Sequence, residues 1–284
     1  MKTLVIDEKY NNKKLNTILQ NEFPNLSINT IYKTLRKKDI KINGKRISQD
    51  VELHTNDIVD IYIIDSLLFS EKELTIVYED DYIVIVDKQA GCEVTGESSL
   101  TTTLSKQLSK KVFPCHRLDR NTTGLVLFAK TENALEILLD KFKNSEISKH
   151  YTCHVYGIPN IKKQTLTAYL FKDAKKSIAY ISDKQQTGYR QIITGYEVIK
   201  EFEDNTCVLD VTLHTGRTHQ IRAHLAHIGY PIIGDGKYGK NEINKMYKSK
   251  FQKLCSYKMK FNFKEDSGIL NYLNHKEFKI DYHF

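Results

Sequence analysis

The part of the chain after residue 74 is dominated by short apolar segments of strand length. They are LTIVYED, YIVIVDK, GLVLFAK, YTCHVYG, YRQIITGYEVI and TCVLDVTLH. Turn residues separate them, and helical spacing is expected only over residues 99–109, 131–143 and 218–228. The pattern shows no βαβ alternation and no glycine-rich dinucleotide loop. It therefore predicts an α+β fold, with a mixed, mostly antiparallel sheet and peripheral helices.

The first 65 residues have a different organisation. LNTILQNEF and INTIYKTLRKK carry the apolar spacing of helices, and Ser27 is placed to cap the second one. IKINGKRI then predicts a hairpin with an Asn-Gly turn, and DIVDIYII predicts a further strand. We therefore predict a small α+β domain over residues 1–65, a linker over residues 66–73 and a larger domain over residues 74–284.

Basic residues are concentrated in the predicted first domain. Between Lys33 and Arg46 there are seven of them against one acidic residue, Asp39, in a chain with a net charge of +8. Such an excess favours an anionic partner such as nucleic acid. The alternative is a solvated helix end, where Lys and Arg are favoured in any case. The residues expected to make such phosphate contacts are Arg36, Lys37, Lys38, Lys45 and Arg46.

Residues 12–64 resemble the small RNA-binding domain of a ribosomal small-subunit protein, of bacterial tyrosyl-tRNA synthetases and of a heat-shock protein. The likeness rests on the helix pair, on IKINGKRI and on the turn HTNDIV. Asn56 stands where that family usually has glycine, and asparagine also accepts left-handed backbone geometry. The resemblance implies that this domain binds RNA.

Three polar motifs in the second domain hold residues suited to chemistry. HRLDRNTTG places Asp119 between two arginines, just before an apolar strand. KHYTCHVYG places Tyr151 at the start of a strand, with Lys149 adding positive charge beside it. GRTHQIRAH predicts a helix capped by Thr218 and presents Arg222 on a rigid element. An arginine fixed in that way suits a carboxylate or phosphate partner.

Other catalytic patterns fit less well. Four histidines suggest zinc, but their spacing matches no common ligand set and no cysteine accompanies them. They are His214, His219, His224 and His227. GDGKYG resembles a phosphate-binding loop but lacks its first glycine and the Ser or Thr after lysine. The sequence has no G-x-S-x-G elbow and no acidic cluster for a metal-dependent nuclease, and its five scattered cysteines argue against a disulfide framework.

In this order, the three motifs resemble those of the RluA-type pseudouridine synthases, over roughly residues 74–262. The resemblance implies isomerisation of uridine to pseudouridine in structured RNA, ribosomal RNA being favoured over transfer RNA, without a cofactor or metal. It implies that the target base is flipped out of the RNA and that Asp119 is then the catalytic carboxylate. It also implies that Tyr151 lies against the uracil and that Arg222 pairs with Asp119. The further residues expected to contact the substrate are Arg117, His116, Leu254, Arg217 and Lys149.

The chain departs from the family pattern at Gln89, which replaces a proline, and at Cys255-Ser256, the two residues that follow Leu254. The rival hypothesis is an RNA-binding assembly factor without catalysis, which has no need of a carboxylate that repels phosphate.

We expect a cytoplasmic protein, because the apolar stretch in the start MKTLVIDEKYNN is too short for a signal peptide. No apolar run approaches the ~20 residues that span a bilayer. We also expect a monomer.

Overall fold

The computed structural model describes three stretches of the chain, residues 2–23, 26–63 and 73–282. The chain forms two compact units, Met1–Glu73 and Leu74–Phe284. The predicted linker, residues 66–73, lies outside the described residues except for Glu73. No helix within the described stretches is long and apolar enough to cross a membrane.

The first unit packs two helices against a four-stranded antiparallel sheet. Its elements are β1 (Lys2–Val5), a 3₁₀ turn (Glu8–Tyr10), β2 (Lys13–Lys14), α1 (Leu15–Glu22), α2 (Ile28–Arg36), β3 (Ile40–Ile42), β4 (Lys45–Ile47), β5 (Glu52–Leu53) and β6 (Ile58–Ile61). The sheet order is β1-β6-β3-β4, and β2 pairs with β5 separately. Leu15, Ile31 and Val59 are among its fully buried residues, so the apolar faces of helices and sheet meet in one core.

Local signals in the first unit match the structure closely. The side chain of Ser27 accepts a hydrogen bond from the Thr30 backbone N–H, as expected for a helix cap. Asn43 and Gly44 have φ angles of 48° and 78°, the left-handed geometry that a two-residue hairpin turn requires. Asn56 also adopts a left-handed φ, of 72°.

The second unit is built on one large sheet. Its elements are β7 (Thr75–Glu79), β8 (Ile83–Lys88), α3 (Leu100–Gln107), β9 (Phe113–Pro114), β10 (Thr123–Ala129), α4 (Glu132–Lys143), β11 (Ile147–Tyr156), β12 (Lys163–Asp173), β13 (Ile178–Ser182), β14 (Arg190–Phe202), β15 (Thr206–Leu213), α5 (Gln220–His227), α6 (Asn241–Met246), β16 (Leu254–Phe261), a 3₁₀ helix (Gly268–Leu273) and β17 (Glu277–Lys279). The main strand order is β13-β12-β14-β15-β11-β16-β10-β8-β7, with β17 beside β16 and β9 beside β10. Among the described pairs, only β10 and β16 run parallel. The prediction of a mixed, mostly antiparallel sheet is confirmed.

Two local predictions in the second unit are wrong. The predicted cap at Thr218 is absent, because α5 begins at Gln220 and is preceded by His219, which has a left-handed φ of 59° and no capping hydrogen bond. Tyr151 does not start a strand, because β11 begins four residues earlier. Tyr151 comes directly after a shift in the register between β11 and β16, which lies between His150 and Tyr151. Both differences occur where side chains face the site described below.

The parallel pairing of β10 with β16 depends on a glycine. Gly124 has a φ of 105°, which favours glycine, and it lies opposite Ser256 in the neighbouring strand. A Cβ at this position would overlap the backbone carbonyl of Ser256. Any side chain here would therefore push the two central strands apart.

Gly124→Ala is expected to lower the free energy of unfolding by more than about 1 kcal/mol, because backbone strain and the clash with Ser256 add. Urea denaturation followed by circular dichroism measures the change. Gly96→Ala is the matched control, because Gly96 has a φ of 130° with open space around it and so reports the backbone cost alone. Equal losses for the two variants would contradict a role for close strand packing.

Candidate active site

Asp119 lies in the loop between β9 and β10, on a turn that is fixed at its base. The Thr122 N–H donates to the Asp119 carbonyl at 3.0 Å. The Thr122 hydroxyl accepts a buried hydrogen bond of 2.7 Å from the Gln252 side chain. Leu118, the residue before Asp119, is buried. The carboxylate therefore projects from a rigid turn, and its side chain is 18% exposed.

A buried lysine supports the other side of the same loop. Lys88, at the end of β8, donates from Nζ to the carbonyl oxygens of Gln89 and Arg120, both at 2.9 Å. Burial lowers the pKa of Lys88 to about 8. The Arg120 side chain binds a neighbouring loop, because its Nε donates to the Gly91 carbonyl at 3.1 Å. Sequence reasoning did not identify Lys88, although it is the last residue of the predicted strand YIVIVDK.

Arg222 joins the Asp119 carboxylate to a second, fully buried carboxylate. Its Nη1 donates to Asp119 Oδ2 at 2.9 Å. Its Nε and Nη2 donate to the two oxygens of Asp235 at 2.7 and 2.9 Å. The bidentate pairing fixes the plane of the guanidinium group, so the nitrogen left over is aimed at Asp119.

Asp235 was missed by sequence reasoning, and it is what orients Arg222. Burial alone would raise its pKa, but the hydrogen bonds and charge of Arg222 outweigh burial, so the pKa of Asp235 lies below its ordinary value. Its Oδ1 also accepts from the backbone N–H groups of Lys237 and Tyr238. The available signal was the segment GDGKYG, which resembles a phosphate loop but serves here to hold a carboxylate under an arginine.

The Asp119 carboxylate opens into a cavity of about 110 Å³. The predicted site residues that line it are Arg117, Asp119, Lys149, Tyr151, Arg217, Arg222 and Leu254. Tyr151 and Leu254 are buried apolar walls, and burial raises the pKa of the Tyr151 phenol, so this group stays neutral. Arg117 and Arg217 are exposed. The cavity thus has an apolar wall, one carboxylate and exposed arginines around it.

His116 is the one predicted substrate contact that does not line this cavity. Its Nε2 accepts a hydrogen bond of 3.1 Å from the Leu127 N–H, which leaves the ring proton on Nδ1. The ring packs against Phe142 with the centroids 5.2 Å apart, at the edge of a neighbouring groove. Burial lowers the pKa of His116 well below its ordinary value. In this geometry the residue supports β10.

His219 faces Asp119 from the loop before α5. Its Nε2 lies 3.9 Å from Asp119 Oδ2, and its Nδ1 lies 2.8 Å from the Tyr238 hydroxyl. That hydroxyl also accepts from the Ala179 N–H at 2.7 Å. Burial lowers the pKa of His219 to about 4, so the ring is neutral at pH 7.

The loop between β15 and α5 is fixed by one buried amide. The Gln220 Nε2 donates to the Ile193 carbonyl at 3.1 Å and to the Thr194 hydroxyl at 3.0 Å. Its Oε1 accepts from the Thr215 hydroxyl at 2.9 Å and from the Arg217 N–H at 3.0 Å. Gln220 therefore ties the backbone of Arg217 to β14, which positions the arginine beside the cavity.

Two other histidines of the zinc hypothesis have hydrogen-bond partners outside the cavity. His224 Nδ1 lies 3.0 Å from the Thr194 hydroxyl, and His227 Nε2 lies 2.9 Å from Asp183. Within the part of the chain that the structure describes, no group of three or more His, Cys, Asp or Glu side chains could hold a metal ion. His219, His224 and His227 thus each have a hydrogen-bond partner in the protein.

Several known proteins are similar to this chain in sequence or in fold. Residues 82–227 match the family model described as RNA pseudouridylate synthase. The chain is 32% identical over 267 residues to ribosomal large subunit pseudouridine synthase C of Buchnera aphidicola subsp. Baizongia pistaciae, covering 87% of this chain and 84% of that protein. It is 31% identical over 258 residues to the protein of the same description from Rickettsia bellii, covering 81% and 84%.

The fold is similar to that of human RNA Pseudouridylate Synthase Domain Containing 1. The TM-score is 0.61, with 21% sequence identity, over 69% of this chain and 82% of that one. For human RNA Pseudouridylate Synthase Domain Containing 4 the TM-score is 0.60, with 18% identity, over 73% and 88%. These two likenesses concern the fold.

The large, mostly antiparallel sheet carries a carboxylate and a fixed arginine in a cavity with basic residues at its edge, which suits an enzyme that acts on an anionic substrate. This chain belongs to the RNA pseudouridylate synthase family. The prediction of an RluA-type RNA pseudouridine synthase is confirmed by the family match and by the relatives.

Proposed function

We propose that this enzyme isomerises uridine in large-subunit ribosomal RNA and that Asp119 is its catalytic carboxylate. The substrate follows from the two relatives above, which are described as ribosomal large subunit enzymes. The observation that carries the role of Asp119 is its pairing with Arg222. Asp119 is also the one acidic side chain among the described residues that line the cavity. A purely RNA-binding surface gains nothing from such an acid.

The first step is extraction of the target base from the RNA. Unstacking and unpairing cost a few kcal/mol, which phosphate contacts can offset. Arg117 and Arg217 are suited to those contacts, because both are exposed at the cavity and neither forms an ion pair with a described residue. These two arginines would hold the backbone while the uracil enters between Tyr151 and Leu254.

The second step exchanges one bond to the ribose for another. The bond between N1 and C1′ breaks, the uracil turns, and a bond between C5 and C1′ forms. N1 gains a proton and C5 loses one, so the reaction is a balanced isomerisation. A carboxylate facing the ribose can promote it by attacking C1′, by stabilising positive charge there or by taking the 2′ proton. All three roles need the fixed position that Arg222 gives to Asp119.

The direct test of the substrate is to map pseudouridines in ribosomal RNA from cells with and without this protein. We expect at least one position of the large-subunit RNA to lose its pseudouridine, with transfer RNA unchanged. Loss confined to transfer RNA would contradict the proposed substrate. A ribosomal substrate also fits the predicted cytoplasmic location, and we propose that the enzyme works there as a monomer.

We also propose that the first unit adds RNA affinity through a basic patch. The patch consists of Arg36, Lys37, Lys38, Lys45 and Arg46, all of which are exposed. Arg46 Nη1 donates to the Lys38 carbonyl at 2.8 Å, so the β3–β4 hairpin lies beside the end of α2. The two elements that carry the five side chains are therefore in contact, which favours joint contact with neighbouring RNA phosphates.

Replacing Lys37, Lys38 and Lys45 together with alanine is expected to weaken RNA binding. Each lost phosphate contact makes the plot of log K against log salt concentration less steep by about 0.7 to 0.9. The loss of three contacts should therefore make the slope shallower by about 2. Fluorescence anisotropy across a salt series measures it. Alanine at Lys9, Lys13 and Lys14 removes the same charge outside the patch and serves as control. An unchanged slope, including after deletion of residues 1–65, would contradict this role.

A further inference from the structure

A groove of about 720 Å³ lies beside the active-site cavity in the second unit. Lys149, Leu213 and Gly216 line both spaces, so the groove and the cavity are adjoining. A polymer with one unit in the cavity would therefore place a neighbouring unit within reach of the groove. Of the residues expected to contact the substrate, only Lys149 and His116 line this groove.

The described lining of the groove contains no acidic residue. Its lysines are Lys143, Lys149 and Lys260. Lys260 pairs with Glu277 at 3.0 Å, whereas Lys143 is exposed at the end of α4. The charge of the groove thus favours an anion over a neutral or cationic ligand.

Lys149 has no counterion among the described residues, although it is half-buried. Its Nζ lies 5.0 Å from the centre of the Phe142 ring, and burial lowers its pKa to about 8. A desolvated cation is costly unless an anion compensates for it. Because Lys149 stands where cavity and groove meet, an anion bound there would lie between two successive units of the ligand.

The groove also offers apolar surface to a base. Leu139 is 47% exposed, and it lines the groove together with the partly buried Phe142. A cation beside an apolar surface suits a nucleotide of a single strand, because one group binds the phosphate and the other contacts the base. A free phosphate ion would use only the first of these features.

We propose that this groove binds the nucleotide next to the target uridine, with Lys149 on the phosphate that joins the two. The proposal rests on the proposed function, in which the cavity takes the flipped uridine. It adds a second binding position, so the enzyme reads at least two successive nucleotides of an unpaired strand. Lys143 is placed to contact the following phosphate.

Titration of the full chain with uridine, UpU and UpUpU tests this proposal by nuclear magnetic resonance. UpU is expected to bind at least 10-fold more tightly than uridine. In Lys149→Met, which keeps most of the length of the side chain and removes its charge, this gain should fall below threefold. Lys149→Arg should retain most of the gain.

Lys163→Met is the matched control, because Lys163 is an exposed lysine outside the groove and the charge change is the same. A gain that is absent in the wild type, or that survives in Lys149→Met, would overturn the proposal. The proposal for the groove and the proposed function can fail independently. Pseudouridine formation by a chain that shows no gain refutes the groove alone, whereas a chain that forms no pseudouridine in ribosomal RNA refutes the proposed function.

Discussion

Replacing Asp119 with asparagine is expected to lower the rate of pseudouridine formation by about 10³-fold or more, while RNA binding persists. The amide keeps the shape of the side chain and an oxygen that can accept from Arg222 Nη1. It can neither attack C1′ nor take a proton as a carboxylate does, and positioned groups of this kind contribute about 10² to 10⁴-fold. Chemistry is thus lost without loss of the cavity.

Release of tritium from RNA labelled at C5 of uridine measures this rate, because C5 exchanges its hydrogen for the bond to C1′. The melting temperature should change by less than about 2 °C, since Asp235 still neutralises Arg222. Asp183→Asn is the matched control, because Asp183 is an exposed aspartate that pairs with His227. An Asp119→Asn variant that releases tritium at the wild-type rate would refute the assignment.

Replacing Arg222 with methionine is expected to cost about 3 to 5 kcal/mol of stability, because it leaves the fully buried Asp235 carboxylate without its partner. For a unit of this size the melting temperature should fall by roughly 10 °C or more. The variant should also lose activity, since Asp119 loses the donor that orients it. Calorimetry and the tritium assay measure the two effects separately.

The stability lost in Arg222→Met should depend on pH. The pKa of Asp235 is lower in the folded than in the unfolded protein, so its contribution is present above the unfolded value of about 4 and is lost as the pH falls through the folded value. In the variant the unpaired carboxyl group is held by burial in its neutral form. The difference in unfolding free energy between wild type and variant should therefore shrink below about pH 4.

The double variant Arg222→Met with Asp235→Leu separates stability from catalysis. Replacing a buried ion pair by apolar side chains of similar volume is often neutral, so most of the lost stability should return. Activity should not return, because no donor is left to hold Asp119. Recovery of both together would contradict the role of Arg222 as the residue that positions the carboxylate.

Local sequence signals predicted the elements that local physics determines. The Ser27 cap and the Asn43-Gly44 turn follow from hydrogen bonds and backbone preferences within four residues. The pairing of Asp119 with Arg222 joins residues 103 positions apart. It was expected only through the resemblance to a family, since no spacing rule brings two distant motifs together.

Features set by long-range contacts were missed. The segment that holds Asp235 has no periodicity that would indicate a buried acid, and its role depends on an arginine supplied by α5. Thr218 has the right chemistry for a helix cap, but His219 takes a left-handed conformation while its ring contacts Tyr238 and faces Asp119. Tertiary contacts thus override a local preference next to the site.

The most direct test of the central claim is a structure of the Asp119→Asn variant bound to a fragment of its ribosomal RNA substrate. We expect an everted uridine between Tyr151 and Leu254, with the amide at position 119 in contact with the ribose and the Arg222–Asp235 pair in place. A target base that remains stacked in the RNA, or that lies in another part of the protein with its ribose remote from position 119, would contradict the claim.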